Sequence, residues 1–272
     1  QACGGGGGGG GAPLTYTSYA ATAGHNSSKE ITFNGSGAST SYSNGPNGSL
    51  SVNYTMRSDG LMSYASLSTT GSPSATQTFD TNNGDTIATF TQGAIALRGS
   101  DNAGAIFHTD GTSFYGVWDK KLSSNSWRIY AGGAGPSYTA NPSSVVSSAT
   151  YRGYALGVLN AIGYSSVLTV ADFSATANFS AGTMSVASTN TIAIDSSANN
   201  LGSYAGENFS GTLSNANQSA YTYAGTVSSS GSGSGTAVLS VYGSSANSVA
   251  GDAVLTNGGN SRTHIVSFGG TR

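Results

Sequence analysis

Charged side chains are scarce throughout this chain, and that scarcity restricts the fold more than any single motif does. Asp, Glu, Lys and Arg together make up 7% of the 272 residues, against about 25% in an average soluble domain. Ser, Thr, Asn and Gly stand in their place, and these residues suit turns and the solvated faces of sheets, whereas helix surfaces normally carry Lys and Glu. Hydrophobic residues still reach 37%, so a core can form. The sequence therefore predicts an all-β protein.

The charge pattern and the apolar pattern also exclude several classes of protein. A net charge of -2 with 9 scattered basic residues provides no field for a phosphate backbone, so we expect no nucleic-acid partner. Apolar runs such as residues 94–97 fall far short of the roughly 20 residues that a membrane-spanning helix needs. The one cysteine, Cys3, excludes an internal disulfide framework.

The N-terminus is similar to the start of an exported bacterial lipoprotein. Cys3 would carry the lipid, and the glycine run from Gly4 to Gly11 would form a flexible tether. The alternative is cleavage by an ordinary signal peptidase before Gln1, which leaves Cys3 as a free thiol. Both alternatives predict a bacterial periplasmic or cell-surface protein, either secreted or held at the outer membrane by lipid.

The same N-terminal segment is the predicted contact with a partner. Ordering a glycine run costs more backbone entropy than ordering any other run, so a partner surface or lipid headgroups would have to hold it. Tyrosine is enriched at protein interfaces, although it is also a good strand residue. The residues predicted to make this contact are Gly4, Gly8, Gly11, Tyr16 and Tyr19.

Two-residue periodicity indicates strands in the first half of the chain. Residues 49–56 alternate strictly between apolar and polar side chains, which is typical of a half-buried strand. The apolar positions are Leu50, Val52, Tyr54 and Met56. Residues 86–90 and 93–97 are predicted as further strands. Asn83 and Gly84 predict a type I′ hairpin turn, because the spacing of the nearby aspartates does not fit an EF-hand calcium loop.

An aromatic segment and a glycine-rich segment close the first half. Residues 107–118 have the highest aromatic density in the chain, and we expect a hairpin there that anchors the core. Residues 131–136 contain only Ala, Gly and Pro, too small and flexible to fill a core, so we interpret them as the approach to a domain boundary near Pro142. The predicted domains are a tether at residues 1–13, a β-rich domain at 14–146 and a β-barrel domain at 147–272.

The second half carries the cleaner strand signals. Residues 171–179 place Ala and Phe on one face and polar residues on the other, then turn into a strand at 183–186. Phe209 and Leu213 repeat the pattern, and residues 236–242 offer a further strand. Small inward residues mixed with Phe, Leu and Val suit the tapered interior of a narrow closed barrel. We therefore expect an antiparallel up-and-down barrel of about eight strands.

Several segments, in order and spacing, resemble the C-terminal barrel of transferrin-binding-protein-B-like surface lipoproteins, the Slam-type family. They are residues 149–154 (ATYRGY), 171–179 (ADFSATANF), 181–184 (AGTM), 208–213 (NFSGTL), 240–243 (SVYG) with Ala246, 250–253 (AGDA) and 266–270 (VSFGG). Residues 114–118 (FYGVW) and 139–142 (TANP) are similar to the segments that precede the barrel in single-lobed members. A cysteine followed by polyglycine is also similar to that group.

The resemblance implies both a fold and a class of function. The fold is an N-terminal β-rich handle domain joined to an eight-stranded barrel, exported and often displayed on the outer membrane. Such proteins capture iron-carrying host proteins or haem, or bind complement regulators, and none is known for bond-making chemistry. The resemblance thus implies a binding protein with a protein partner and membrane association through its N-terminus.

The three histidines are the candidates for ligand chemistry. Haem capture needs a histidine with aromatic walls and an apolar pocket, and His108, with Tyr115 and Trp118 nearby, offers such surroundings. The alternative for His108 is a half-exposed strand histidine bonded to Asp110 or solvent. His264 is in phase with apolar residues of the last strand and is expected in the core or barrel mouth, and His25 is expected in a polar loop. No cofactor is required, and haem is the one ligand group considered.

The sequence carries no arrangement of residues typical of an enzyme. Its 11 carboxylates form no conspicuous pair, and no nucleophile-elbow sequence precedes a helix. We therefore expect a non-enzymatic protein.

Two functions stay open. The first is capture of haem or an iron-carrying protein. The second is a structural role as an accessory subunit clamped through its N-terminal segment onto a large membrane assembly, such as a respiratory or photosynthetic complex. A charge-poor surface favours the second function, because permanent interfaces are depleted in charge.

Overall fold

The computed structural model describes residues 12–45, 48–70, 75–215, 221–257 and 261–272. Cys3, Gly4, Gly8 and Gly11, with the predicted tether they belong to, lie outside the described residues. The described chain forms two antiparallel sheets, with the one α-helical turn α1 (Pro142–Val145) between them and two 3-10 turns at Thr81–Asn83 and Ala205–Glu207. None of the helices in these ranges has the length and hydropathy of a membrane span.

The first sheet contains eleven strands from residues 16–135. They are β1 (Tyr16–Ala21), β2 (Ala23–Phe33), β3 (Ser39–Asn44), β4 (Gly48–Arg57), β5 (Met62–Thr69), β6 (Ala75–Asp80), β7 (Thr86–Phe90), β8 (Gly93–Arg98), β9 (Ala103–Thr109), β10 (Phe114–Ser123) and β11 (Ser126–Gly135). The spatial order is β6-β5-β4-β2-β11-β10-β9-β8-β7, with β1 paired to β4 and β3 paired to β2. The sheet is nearly closed around a core that contains Phe79, Trp118 and Tyr130.

The second sheet is a closed barrel. Its strands are β12 (Ser148–Ala161), β13 (Val167–Asn178), β14 (Thr183–Ile194), β15 (Asn200–Ser203), β16 (Phe209–Ser214), β17 (Thr222–Ser229), β18 (Gly233–Tyr242), β19 (Ser248–Thr256) and β20 (Arg262–Thr271). Pairing of β13 with β14 closes the ring, and β15 pairs with β14 at its side, so the cylinder itself has eight strands. The all-β prediction and the eight-stranded barrel are confirmed.

The predicted strand phases agree with the observed burial. In β4, Leu50, Val52 and Tyr54 are buried while the residues between them face outward. In β13, the small and aromatic positions from Ala171 to Ala177 point into the barrel core, beside Phe209 and Phe268. Period-2 patterning therefore identified these strands because one face of each is buried in a core.

Two predictions about the first half were wrong. Asn83 and Gly84 do not close a hairpin, because β6 and β7 are the two opposite edges of the first sheet and do not pair with each other. The turn is a 3-10 turn capped by the Asp80 side chain, with Gly84 in the left-handed region at φ 87°. It carries the chain across the seam, the gap between β6 and β7.

Residues 131–136 were expected to be too small and flexible to fill a core, and that was wrong, because residues 131–135 form the buried second half of β11. The domain boundary near Pro142 stays a prediction. A Cβ atom added to Gly133 would lie 2.7 Å from the Cβ of Ala250 in β19, and one added to Gly135 would meet the Tyr242 ring. The glycines are therefore where the first sheet approaches the barrel backbone closely. Ile106, Val117 and Ile265 belong to the shared apolar layer between the two sheets.

Candidate functional site

Strand β1 holds the two described residues that were predicted to contact a partner. Among the described strands β1 pairs only with β4, through the register Tyr16 to Arg57 up to Ala21 to Val52. Tyr16 is 59% exposed and Tyr19 is 37% exposed, and Leu14 just before the strand is also exposed. The Tyr19 ring stacks on the Tyr54 ring at 5.1 Å. The strand therefore presents one anchored tyrosine and one projecting tyrosine at the border of the sheet.

The backbone of β1 determines what this border can do. A strand paired on one side has a row of N–H and C=O groups on its other side that can pair with a strand of another chain. Natural edge strands are usually protected by a charged residue, a proline or a bulge. The sequence of β1, YTSYAA, contains no charge and no proline, and its register with β4 has no shift. The geometry therefore suits addition of a strand from a protein partner.

His108 and Tyr115, predicted as ligand-binding residues, lie side by side as cross-strand partners of β9 and β10. They line a cleft of about 520 Å³ between the first sheet and the barrel. The His108 ring lies 5.1 Å from the Tyr115 ring and 5.3 Å from the Tyr154 ring of β12. The Tyr115 hydroxyl oxygen accepts a hydrogen bond from the Tyr154 backbone N–H at 3.2 Å.

The protonation of these two side chains follows from their burial. His108 Nδ1 lies 3.0 Å from the Gln92 carbonyl oxygen, and because a carbonyl only accepts, Nδ1 carries the proton and Nε2 is the acceptor. Burial lowers the pKa of His108, so the ring is neutral at neutral pH. Burial also raises the pKa of Tyr115 well above its ordinary value. The predicted alternative partner, Asp110, instead accepts hydrogen bonds from its own turn, at Thr112 and Ser113.

Trp118 does not join His108 and Tyr115. Side chains alternate along β10, so Tyr115 belongs to the layer between the sheets, whereas Trp118 belongs to the core of the first sheet and stacks on Tyr130 at 5.5 Å. The cleft fits haem in one respect only, since the neutral Nε2 of His108 suits an axial ligand. Its other walls include Asp110, Arg152 and Asp172, which do not suit an apolar macrocycle.

His25 was expected in a polar loop, and that expectation was wrong, because it lies within β2 and bonds to the barrel. His25 Nδ1 lies 2.6 Å from Asp252 Oδ2, and His25 Nε2 lies 3.1 Å from Ser240 Oγ. Ser27 donates a further hydrogen bond to Asp252 at 2.5 Å. The first half of β2, in the sequence AGHNSSKEITF, lacks the alternation of apolar and polar residues that predicts a strand. The detectable signal was Asp252, a lone acid in the apolar strand β19.

The order Asp252, His25, Ser240 has the connectivity of a hydrolase triad, but its surroundings are those of a structural contact. Ser240 is 0% exposed and Asp252 is 1% exposed, so a substrate carbonyl cannot reach the hydroxyl in this conformation. Ser240 Oγ also lies 2.8 Å from Thr222 Oγ1. We interpret the cluster as a polar tie between the first sheet and the barrel.

His264 lies inside the barrel, as its phase predicted. The side chain is buried, and its Nε2 lies 2.8 Å from Thr169 Oγ1. Glu207, also buried, forms an ion pair with Arg262 at 2.5 Å and lies 3.7 Å from His264 Nδ1. Burial, followed by the nearby Arg262 cation, lowers the pKa of His264 to about 4. The ring is therefore a neutral packing group at one end of the barrel.

Comparison with known proteins returned solved structures only. No family model matches the chain, and no curated protein matches it. Among solved structures, a single-substitution mutant of the vaccine antigen transferrin binding protein B from Haemophilus parasuis Hp5 matches with a TM-score of 0.43 and 8% identity, over 92% of this chain and 76% of that one. Isotype 1 transferrin binding protein B from serogroup B Neisseria meningitidis matches with a TM-score of 0.35 and 11% identity, over 93% and 77%.

These structures are of the group that the sequence of the barrel, residues 149–270, also resembles. At such low identity, the match describes a similarity of fold, and the function of this chain has to be argued from its own residues.

Proposed function

We propose that this chain is an exported, non-enzymatic binding protein that docks onto a macromolecular partner, and that β1 is the docking edge. The observation that carries the proposal is a charge-free strand, exposed at Tyr16 and Tyr19 and paired only with β4 among the described strands. Main-chain hydrogen bonds would supply the attachment, and the two tyrosine rings would supply amphipathic contact area.

The place of action in this proposal is a bacterial membrane surface. Cys3 would carry lipid and the following glycines would act as a tether, which puts β1 directly after the tether and close to the membrane. A single lipid chain gives only marginal membrane binding, so a protein contact at β1 would strengthen the attachment. The class of partner suggested by the resemblance is an iron-carrying protein.

The test uses the full chain in the organism that produces it, with a photo-reactive amino acid in place of Tyr16. We expect one protein to be cross-linked in the membrane or surface fraction, and we expect Tyr19→Lys to reduce the yield at least fivefold. The matched control places the photo-reactive group at Tyr164, which is 70% exposed in the loop after β12. Amide exchange with the purified partner then measures protection of β1.

Each outcome discriminates between functions. Protection of the β1 amides by a single soluble or surface protein supports the proposal. Cross-links to several subunits of one membrane complex, with stable co-purification, indicate instead the accessory-subunit role. Equal cross-linking at Tyr16 and Tyr164, or no protection of β1 by the captured protein, contradicts docking through this strand.

A further inference from the structure

A second, apolar groove lies between the two sheets, away from the His108 cleft. It has a volume of about 330 Å³, at the small end of the roughly 300–1,000 Å³ of ligand pockets. One wall is the outer face of the first sheet, including Leu97, Val117 and Trp127, and the other wall is formed by barrel residues such as Val158 and Leu168. The groove therefore forms at the junction of two rigid sheets, where preformed pockets commonly occur.

Three polar side chains interrupt the apolar lining, namely Asn102, Ser166 and the acidic Asp119. Asp119 shares the face of β10 that carries Val117, and it lines the groove. Its Oδ1 accepts a hydrogen bond from the Gly104 backbone N–H at 2.9 Å. Within the described part of the chain, Oδ2 has no hydrogen-bond partner. Gly104 has no side chain, and a Cβ atom placed on it would lie 3.9 Å from that oxygen, so the carboxyl is reachable from the groove.

The surroundings of Asp119 disfavour the charged form of its carboxyl. Burial raises the pKa of Asp119 to about 7, and the neighbouring Asp101 acts in the same direction. A carboxyl in this state gains free energy from a cation that enters beside it, because pairing compensates for the lost hydration. An anion would be repelled, and a purely apolar molecule would leave Oδ2 unpaired.

We propose that this groove binds a small amphipathic amine, with its alkyl or aromatic body between the sheets and its ammonium group on Asp119 Oδ2. This is a binding function distinct from the docking edge at β1 and independent of it. The ligand class follows from three features of the groove, namely its small volume, its mainly apolar walls and one carboxyl whose Oδ1 accepts a backbone N–H while its Oδ2 has no hydrogen-bond partner among the described residues.

Trp127 allows the proposal to be tested with purified full-length protein. The chain contains 2 tryptophans, and both line the groove, although Trp118 is also buried in the core of the first sheet. The probes are n-octylamine, n-octanol and octanoate at pH 8, each titrated below its aggregation concentration while Trp fluorescence is recorded. We expect saturable binding of octylamine, at least tenfold weaker binding of octanol and no binding of octanoate. Trp127→Phe should reduce the fluorescence change, and Trp118 should supply the remainder.

Variants then separate the carboxyl from the cavity. Asp119→Asn should weaken octylamine at least tenfold and leave octanol unchanged, whereas Asp59→Asn, a carboxylate paired with Arg57 outside the groove, should change neither. Gly104→Val, which extends methyl groups into the groove, should weaken both probes. A near-ultraviolet circular dichroism spectrum confirms that each variant is folded.

The proposal is overturned by any of three results. Octylamine and octanol binding with equal affinity would show that the carboxyl selects nothing. Octylamine affinity unchanged in folded Asp119→Asn would place the amine elsewhere. Absence of saturable binding by octylamine, measured directly by calorimetry as well as by fluorescence, would show that the groove is not a site for amines.

Discussion

The two sheets of this protein enclose their hydrophobic cores in different ways. The barrel closes on itself through the pairing of β13 with β14, and its interior is filled by its own rings, with Phe173 and Phe268 stacked at 4.9 Å. The first sheet encloses a core but leaves its edges β6 and β7 unpaired with each other. Side chains bridge this seam instead, since Arg98 of β8 donates to the Gln77 side chain of β6 at 3.0 Å.

This difference in edge pairing suits the two sheets to different roles. A closed cylinder satisfies its backbone groups internally, so little of its main chain is available to a partner. The first sheet carries the exposed strand β1, and both grooves between the sheets draw one wall from it. We infer that the barrel supplies rigidity and that the first sheet supplies the contacts.

The largest effect is expected from removing a ring at the centre of the barrel. Phe268→Ala deletes a fully buried side chain that contacts Phe173 and also lies 5.4 Å from the Phe209 ring. The cavity should lower the free energy of unfolding by about 4 kcal/mol. Phe79→Ala is the matched variant in the first sheet, where the ring is equally buried but lies under the Arg98 guanidinium at the seam.

The cost of Phe79→Ala should be nearer 3 kcal/mol, because the cost of a cavity depends on how far its surroundings can collapse. Urea unfolding followed by circular dichroism measures both. A larger loss for Phe79→Ala than for Phe268→Ala would mean that the seam is packed as rigidly as the barrel, and the contrast between the sheets would fail.

The second prediction concerns acid and the barrel. The pKa of His264 falls from its ordinary value of 6.5 to about 4 in the folded protein. Between these two values the unfolded chain binds the proton and the folded chain does not, so stability decreases as pH falls from 6.5 to 4. The contribution is at most about 3 kcal/mol. His264→Gln keeps a partner for Thr169 and should flatten the pH profile in this window.

Thermal unfolding at pH steps from 4 to 8 measures the profile of His264→Gln against the wild type. Burial lowers the pKa of His108 as well, so His264→Gln is also compared in a His108→Gln background, which removes the His108 contribution to the profile. If His264→Gln leaves the slope unchanged, the ring is not held neutral inside the barrel.

The third prediction tests the contact between the two sheets. Gly133→Ala would place a Cβ atom 2.7 Å from the Ala250 Cβ and 2.8 Å from the Gly251 backbone nitrogen. Neither group can rotate away, so β11 and β19 must separate, at a cost of about 2 kcal/mol. Gly99→Ala, in a turn with no atom within 4 Å of the added Cβ, should change the free energy of unfolding in urea by less than about 0.5 kcal/mol. Equal effects would show that β11 does not lie against the barrel backbone.

The barrel was more predictable from the sequence than the first sheet, and the reason is physical. Strands β13 and β16 alternate apolar and polar residues because one face is buried and the other is solvated. Strand β11 is buried on both faces, so its small residues show no alternation, and the glycines that permit close approach looked like a flexible linker.

The candidate site was predictable in part for a related reason. Proximity along the chain grouped Tyr115 with Trp118, but an odd spacing of three puts them on opposite faces of a strand. Strand parity would have corrected that grouping. No local pattern could have joined His25 to Asp252, since their contact depends on how two sheets pack.

The smallest effect is expected from Asp119, which titrates in the opposite sense to His264. Burial raises the pKa of Asp119 from 3.8 to about 7 in the folded protein. The folded state therefore holds the proton longer than the unfolded state, and stability decreases as pH rises from about 4 to 7. Allowing for partial exposure to solvent, the loss is roughly 1–2 kcal/mol. Asp119→Asn should recover that amount at pH 8 and have little effect at pH 4.

Thermal unfolding of Asp119→Asn at pH 4 and pH 8 checks this sign, with Asp101→Asn as the control. Hydrogen bonds from the Arg98 side chain lower the pKa of Asp101, so its removal should cost stability at pH 8 instead. Because the Asp119 and His264 contributions oppose each other between about pH 4 and 6.5, they partly cancel in the wild type, and each single variant exposes the other. A destabilised Asp119→Asn at pH 8 would show that the carboxyl is already compensated, and the groove would then have no charge to offer a ligand.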